Sequence, residues 1–91
     1  MSENLDREIE ELFSLITALD NEEETKALFY DLCTYKEIES MAQRLKAAKL
    51  LLSGATYEEI IKETEISSAT LSRVSKCVKY SKGYKTVLKK N

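Results

Sequence analysis

Apolar residues recur along this chain at helical spacing, in blocks separated by turn-forming residues. Leu5, Ile9, Leu12, Phe13, Ile16 and Leu19 fall three or four apart with acids between them, which predicts an amphipathic helix from about Glu3 to Leu19. Asp20-Asn21-Glu22-Glu23 follows. Asp20 or Asn21 can cap a second helix, and the glutamates suit the positive end of its dipole. Ala27, Leu28 and Leu32, with Phe29 or Tyr30, make its apolar side. Thr34-Tyr35-Lys36-Glu37 has the S/T-x-x-E spacing of a capping box and predicts the start of a third helix. Its stripe is Ile38, Met41, Ala42, Leu45, Ala48 and Leu52, and Ser53-Gly54 ends it, because glycine accepts the left-handed conformation that follows a helix. Thr56-Tyr57-Glu58-Glu59 repeats the capping-box spacing and opens a short fourth helix to about Thr64. Ser67 caps a fifth from Ser68 to about Tyr80; Gly83 breaks the pattern, and Tyr84, Val87 and Leu88 allow one or two further turns. No segment alternates strictly between apolar and polar, and there is no internal repeat or low-complexity stretch. The pattern predicts an all-α fold of five to six short helices.

Length adds a constraint. A chain of 91 residues is expected to be a single domain, 1–91. Folding hides only about 60–65 % of the unfolded surface at this size, which makes a lone copy marginal. The first helix has more apolar surface than so small a core needs, and a homodimer is the economical way to cover it. The alternative is that helices one to three bury each other within one copy.

Composition excludes several chemistries. There is no histidine, which removes the usual general base, the Ser–His and Cys–His pairs and imidazole metal ligands. Two glycines and no proline argue against all-β folds. Cys33 and Cys77 form no CxxC and fit a reducing compartment better than a disulfide framework or a zinc site. MSENLDREIEELF is acidic and lacks the basic and apolar regions of a signal peptide, and the longest apolar run, Leu50-Leu51-Leu52, is far too short to span a membrane. The expectation is a cytoplasmic protein that is not an enzyme and uses no metal.

The net charge of −2 conceals an asymmetry. Residues 1–45 carry twelve acids against four bases; residues 46–91 carry four acids against ten bases. Past Glu65 there is no acid at all, while Arg73, Lys76, Lys79, Lys82, Lys85, Lys89 and Lys90 are all basic. A one-sided basic segment suggests a polyanionic partner; by charge alone it could equally be a solvated tail.

The segment Thr56 to Cys77 decides between these. A short helix with Ile60 and Ile61 leads into Glu65-Ile66-Ser67, and a second helix follows with Leu71 and Val74. An apolar residue in the turn, a capping hydroxyl after it and apolar residues where the second helix packs on the first give the plan of a helix-turn-helix. One departure is Glu65, where glycine often makes the turn; a left-handed non-glycine residue there costs about 1 kcal/mol. On a wheel of roughly 100° per residue with Ala69 at the origin, Leu71, Val74 and Val78 fall near 200°, 140° and 180°. Ser72, Arg73 and Lys76 fall near 300°, 40° and 340°. The apolar face packs inward, so Ser68, Ala69, Ser72, Arg73 and Lys76 face outward together. Small and hydroxyl side chains let a helix approach base edges: Ala69 can meet a thymine methyl and Ser72 can hydrogen-bond a base. The N–H groups at the helix start can meet a phosphate, and Arg73, Lys76 and Lys79 are long enough to reach phosphates. A helical protein-interaction module with no DNA role is the alternative that the same shape permits.

Ser68-Ala69-Thr70-Leu71-Ser72-Arg73 and Met41-Ala42-Gln43-Arg44-Leu45, with Gly54 and Ser67 between them, resemble the tryptophan-repressor family, in particular its small Trp-repressor-like branch of the YerC/YecD type. The resemblance covers roughly residues 25–80 and implies an intertwined homodimer whose paired reading heads enter successive major grooves, as a transcriptional regulator of repressor type. It divides the chain into a helical dimerisation part (1–55), a helix-turn-helix (56–80) and a basic end (81–91). Candidate DNA-binding positions are Lys62, Ser67, Ser68, Ala69, Thr70, Ser72, Arg73, Lys76 and Lys79. Ser68, Ala69 and Ser72 match the family's base-proximal positions, and Lys62 a DNA-contacting lysine, although the turn here looks one residue shorter. Arg44 and Arg73 match the pair of arginines that sandwich tryptophan in the family's tryptophan binders. Those binders have glycine where this chain has Val74, and a valine fills the space where the corepressor packs. The resemblance therefore leaves a small-molecule corepressor open and argues against tryptophan.

Overall fold

The computed structural model describes residues 3–89. Among them it shows six helices and no strand: α1 (Glu3–Thr17), α2 (Glu22–Leu32), α3 (Tyr35–Leu52), α4 (Tyr57–Thr64), α5 (Ser68–Tyr80) and α6 (Gly83–Lys89). The fold is all-α, as the pattern predicts. Lys90, the last cation of the basic run, lies outside the described residues. None of these helices is long and apolar enough to cross a membrane. The chain divides into two compact units, residues 1–35 and 36–91.

The first unit holds α1 and α2, and neither helix has a buried residue. α1 ends at Thr17, two residues before the predicted end, because its last turn tightens: the Ala18 N–H reaches both the Ser14 and the Leu15 carbonyls and the Leu19 N–H reaches Ile16. Of the two candidate caps for α2, Asn21 is used. Its Oδ1 accepts the Glu24 N–H at 2.9 Å, and the Glu24 carboxylate reaches back to the Asp20 N–H at 3.0 Å. Much of the apolar stripe of α1 stays open: Leu5, Leu12 and Phe13 are exposed, as is Leu15 beside them, while Ile9 and Ile16 are half-buried.

The second unit contains the buried core: Ala47 and Ala48 from α3, Ile60 from α4, Ile66 from the turn, and Leu71, Val74 and Val78 from α5. Leu50, Leu51, Ala55, Tyr84 and Leu88 pack against it. α3 enters the core at one edge of the predicted stripe: Ala48 belongs to that stripe, and Ala47 beside it does not. Ala47 and Ala48 are small enough to bring its backbone close to its neighbours, whereas Ala42, Leu45 and Leu52 stay exposed and Ile38 and Met41 are half-buried. α3 is thus apolar on two sides, one of which its own unit does not cover. Its C-terminus is a Schellman motif: Gly54 takes φ +93, its N–H bonds the Leu51 carbonyl, and the Ala55 N–H bonds Leu50. Leu50 and Ala55, the apolar pair that accompanies this motif, both lie against the core. Gly83, expected as a break, is the first residue of α6.

Candidate nucleic-acid interface

The site is built by α4, its turn and α5. α4 begins at the expected capping box. The Glu59 N–H donates to Thr56 Oγ1 at 3.2 Å, while the Glu59 carboxylate accepts the Thr56 N–H and hydroxyl at 2.9 Å each. These two bonds favour the charged form and hold the Glu59 carboxyl below its usual range, the backbone bond contributing most.

The turn is held by a hydroxyl the pattern gave no reason to single out. Thr64 is buried; its Oγ1 donates to the Ile60 carbonyl at 2.7 Å and accepts the Ile66 N–H at 3.2 Å. One side chain therefore ties the last turn of α4 to the second amide beyond it, the first, that of Glu65, donating to the Ile61 carbonyl. Glu65 between them is left-handed, with φ 60 and ψ 17. This is the conformation suspected from the glycine that often stands in such turns. It reverses the chain so that Ile66 drops into the core.

α5 then starts from Ser67. The Ser67 hydroxyl accepts the Thr70 N–H at 3.1 Å and donates to Thr70 Oγ1 at 2.9 Å. Leu71, Val74 and Val78 are buried along one face, as the spacing predicts. This anchoring fixes what the opposite face presents. Ser68, Ala69, Ser72, Arg73, Lys76 and Lys79 are exposed on α5, Lys62 is exposed on α4, and Thr70 is half-buried beneath its cap. At the far end of α5 the Lys85 ammonium donates to the Lys79 carbonyl at 3.2 Å, a cation at the negative end of the helix dipole. Reading the chain linearly did not find this bond, since Lys85 belongs to the next helix.

The two arginines suggested for an effector stand in different settings. Arg44 is half-buried on α3, its Nε donating to the Ser40 carbonyl at 3.4 Å, and lines a cleft of about 360 Å³ with Met41, Leu45 and Tyr84. Arg73 is exposed and is not among the walls of that cleft. A neighbouring cavity of about 410 Å³, walled by Leu45, Cys77, Tyr84, Val87 and Leu88 among others, is almost wholly apolar. Val74 is 1 % exposed and belongs to the core. Among the described residues no cluster of His, Cys, Asp or Glu could hold a metal ion.

The family model described as Trp repressor protein matches residues 7–91. The chain belongs to the Trp repressor family. Within it, the chain is 47 % identical over 74 residues to the uncharacterized protein YerC of Bacillus subtilis (strain 168), an alignment covering 81 % of this chain and 71 % of that protein. Two solved structures share the fold. A candidate Trp repressor from Staphylococcus aureus is 40 % identical with a TM-score of 0.87, covering 92 % of this chain and 85 % of that one. A TrpR like protein from Eubacterium eligens ATCC 27750 is 38 % identical with a TM-score of 0.88, covering 92 % and 88 %. The Trp repressor match runs from α1 through α6, so it takes in the open apolar helix as well as the helix-turn-helix.

Proposed function

We propose that this Trp repressor family member is a non-enzymatic, cytoplasmic transcriptional regulator, a repressor that binds operator DNA as a homodimer through α4 and α5. The observation that carries the reading is the outer face of α5. Exposed Ser68, Ala69 and Ser72, followed by Arg73 and Lys76, stand on a helix whose opposite face is locked in the core by Leu71, Val74 and Val78. Short side chains bring the helix to base edges, and the cations behind them meet phosphates. Lys62 and Lys79 extend the phosphate contacts, while Ser67 and Thr70 shape the start of the helix and direct its first N–H groups outward. Pairing of two copies is supported by the open apolar stripe of α1, the absence of any buried residue in α1 or α2, and the uncovered second side of α3. On this reading residues 1–55 assemble the dimer within one domain and 56–80 read DNA. Val74, buried where the tryptophan binders have glycine, makes binding independent of tryptophan; any small-molecule corepressor is a different compound.

Selection from a random duplex pool, with and without tryptophan, tests the proposal. A common sequence is expected to enrich equally in both arms. A dimer neutralising about 6–10 phosphates loses about 10³–10⁵ in affinity between 50 and 200 mM salt, and its two α5 helices lie about 34 Å apart. Failure to enrich any duplex, or burial of Ser68, Ala69 and Ser72 in a subunit interface, refutes it.

A further inference from the structure

Resting on the DNA-binding reading, we propose that Tyr80 is a further contact to the DNA backbone, its phenol hydroxyl donating to a phosphate at the wall of the groove that α5 enters. The outward stripe of α5 does not stop at its cations. Ala69, Arg73, Lys76 and Tyr80 follow one another at i, i+4, i+7 and i+11, the spacing of a single helical face. All four are exposed, and Tyr80, at 84 %, is the most exposed large hydrophobic among the described residues. Tyr80 is the last residue of α5, because the chain turns extended at Ser81.

The dimensions assign it a place. At 1.5 Å per residue, Tyr80 lies about 16 Å along the axis from Ala69, more than the roughly 12 Å width of a major groove. With the small residues of the N-terminal end over the base edges, the far end reaches the sugar-phosphate wall, where a tyrosine hydroxyl donates to phosphate as arginine and lysine do. Charge agrees: Lys79 and Lys82 flank Tyr80, no acid occurs after Glu65, and the Lys85 bond to the Lys79 carbonyl ties the start of α6 to this end of α5. A neutral donor among cations fits a polyanion better than an apolar partner surface.

Tyr80→Phe and Tyr80→Ala are titrated over a range of salt against the duplex that the wild-type chain selects, with Lys76→Gln alongside and sedimentation of each variant. Tyr80→Phe is expected to weaken binding about three- to tenfold, the value of one hydrogen bond, equally on matched and mismatched duplexes. The slope of log affinity against log salt stays at the wild-type value, because the lost group is neutral, whereas Lys76→Gln lowers it by about 0.9 per phosphate contact removed. Tyr80→Phe binding as tightly as wild type overturns the inference and leaves the DNA-binding reading standing. So does a change of sedimentation mass in Tyr80→Ala, which places Tyr80 in a subunit interface. A wild-type chain that selects no duplex overturns both.

Discussion

Glu65 allows a test in which the reasoning fixes a sign as well as a size. At an ordinary position glycine is worse than alanine by about 0.5–1 kcal/mol, because it loses more conformational freedom on folding. Glu65 is not ordinary: φ 60 and ψ 17 put it in the left-handed region, where a Cβ costs roughly 1–2 kcal/mol. The side chain is exposed, so little packing is lost on substitution. Subtracting the generic disadvantage of glycine from the strain relieved leaves Glu65→Gly more stable than Glu65→Ala by about 0.7 kcal/mol, within a span of roughly 0–1.5 kcal/mol. For a chain of this size that corresponds to a few degrees in Tm. Urea and thermal melts followed by circular dichroism at one fixed protein concentration measure it, the fixed concentration removing any contribution from association. If Glu65→Ala proves as stable as Glu65→Gly or more so, the turn is not held left-handed and the direction in which α5 leaves it needs another explanation.

Leu71→Ala, which empties a fully buried site between α5 and its neighbours, is expected to cost about 2–5 kcal/mol in urea unfolding. Glu59→Gln addresses pH. The carboxyl of Glu59 titrates lower in the folded chain than in the unfolded one, so its stabilisation is complete above the ordinary glutamate range and disappears as pH falls through the depressed value. The variant should show a flatter loss of stability across that acidic window, and an unchanged pH profile would refute the assignment. Arg73→Gln with Lys76→Gln should lower the salt slope of duplex binding by about 0.9 for each phosphate contact removed, while melts stay at the wild-type midpoint because both side chains are exposed.

Features set by local chemistry were legible in the sequence. The box at Thr56 and Glu59, the cap at Ser67 and the stop at Gly54 each depend on two or three neighbouring residues, and each occurs where the pattern placed it. The buried face of α5 was legible too, since Leu71, Val74 and Val78 leave only one way to turn the helix inward. The burial of α3 was not. Of the predicted stripe only Ala48 is fully buried, joined by Ala47 from outside it: with apolar residues on two sides, periodicity cannot say which side a helix turns to its own unit, and small side chains let backbones approach. At the candidate interface the exposed positions followed from the wheel, but Thr64 did not. A threonine near a helix end looks like any surface hydroxyl until the turn folds back and gives it an amide to accept from. Tyr80 falls in between: its place at i+11 was available from the sequence, its exposure was not.

The position of the core along the chain bears on how the protein is made. Among the described residues, every buried apolar side chain lies between Ala47 and Val78. The core is thus assembled from one continuous stretch of the chain, which keeps the loops to be closed short. Synthesis delivers the apolar stripe of α1 before the segment that supplies the core. Twelve acids against four bases in the first 45 residues give that stretch a net negative charge, which favours its solubility while its apolar stripe is uncovered.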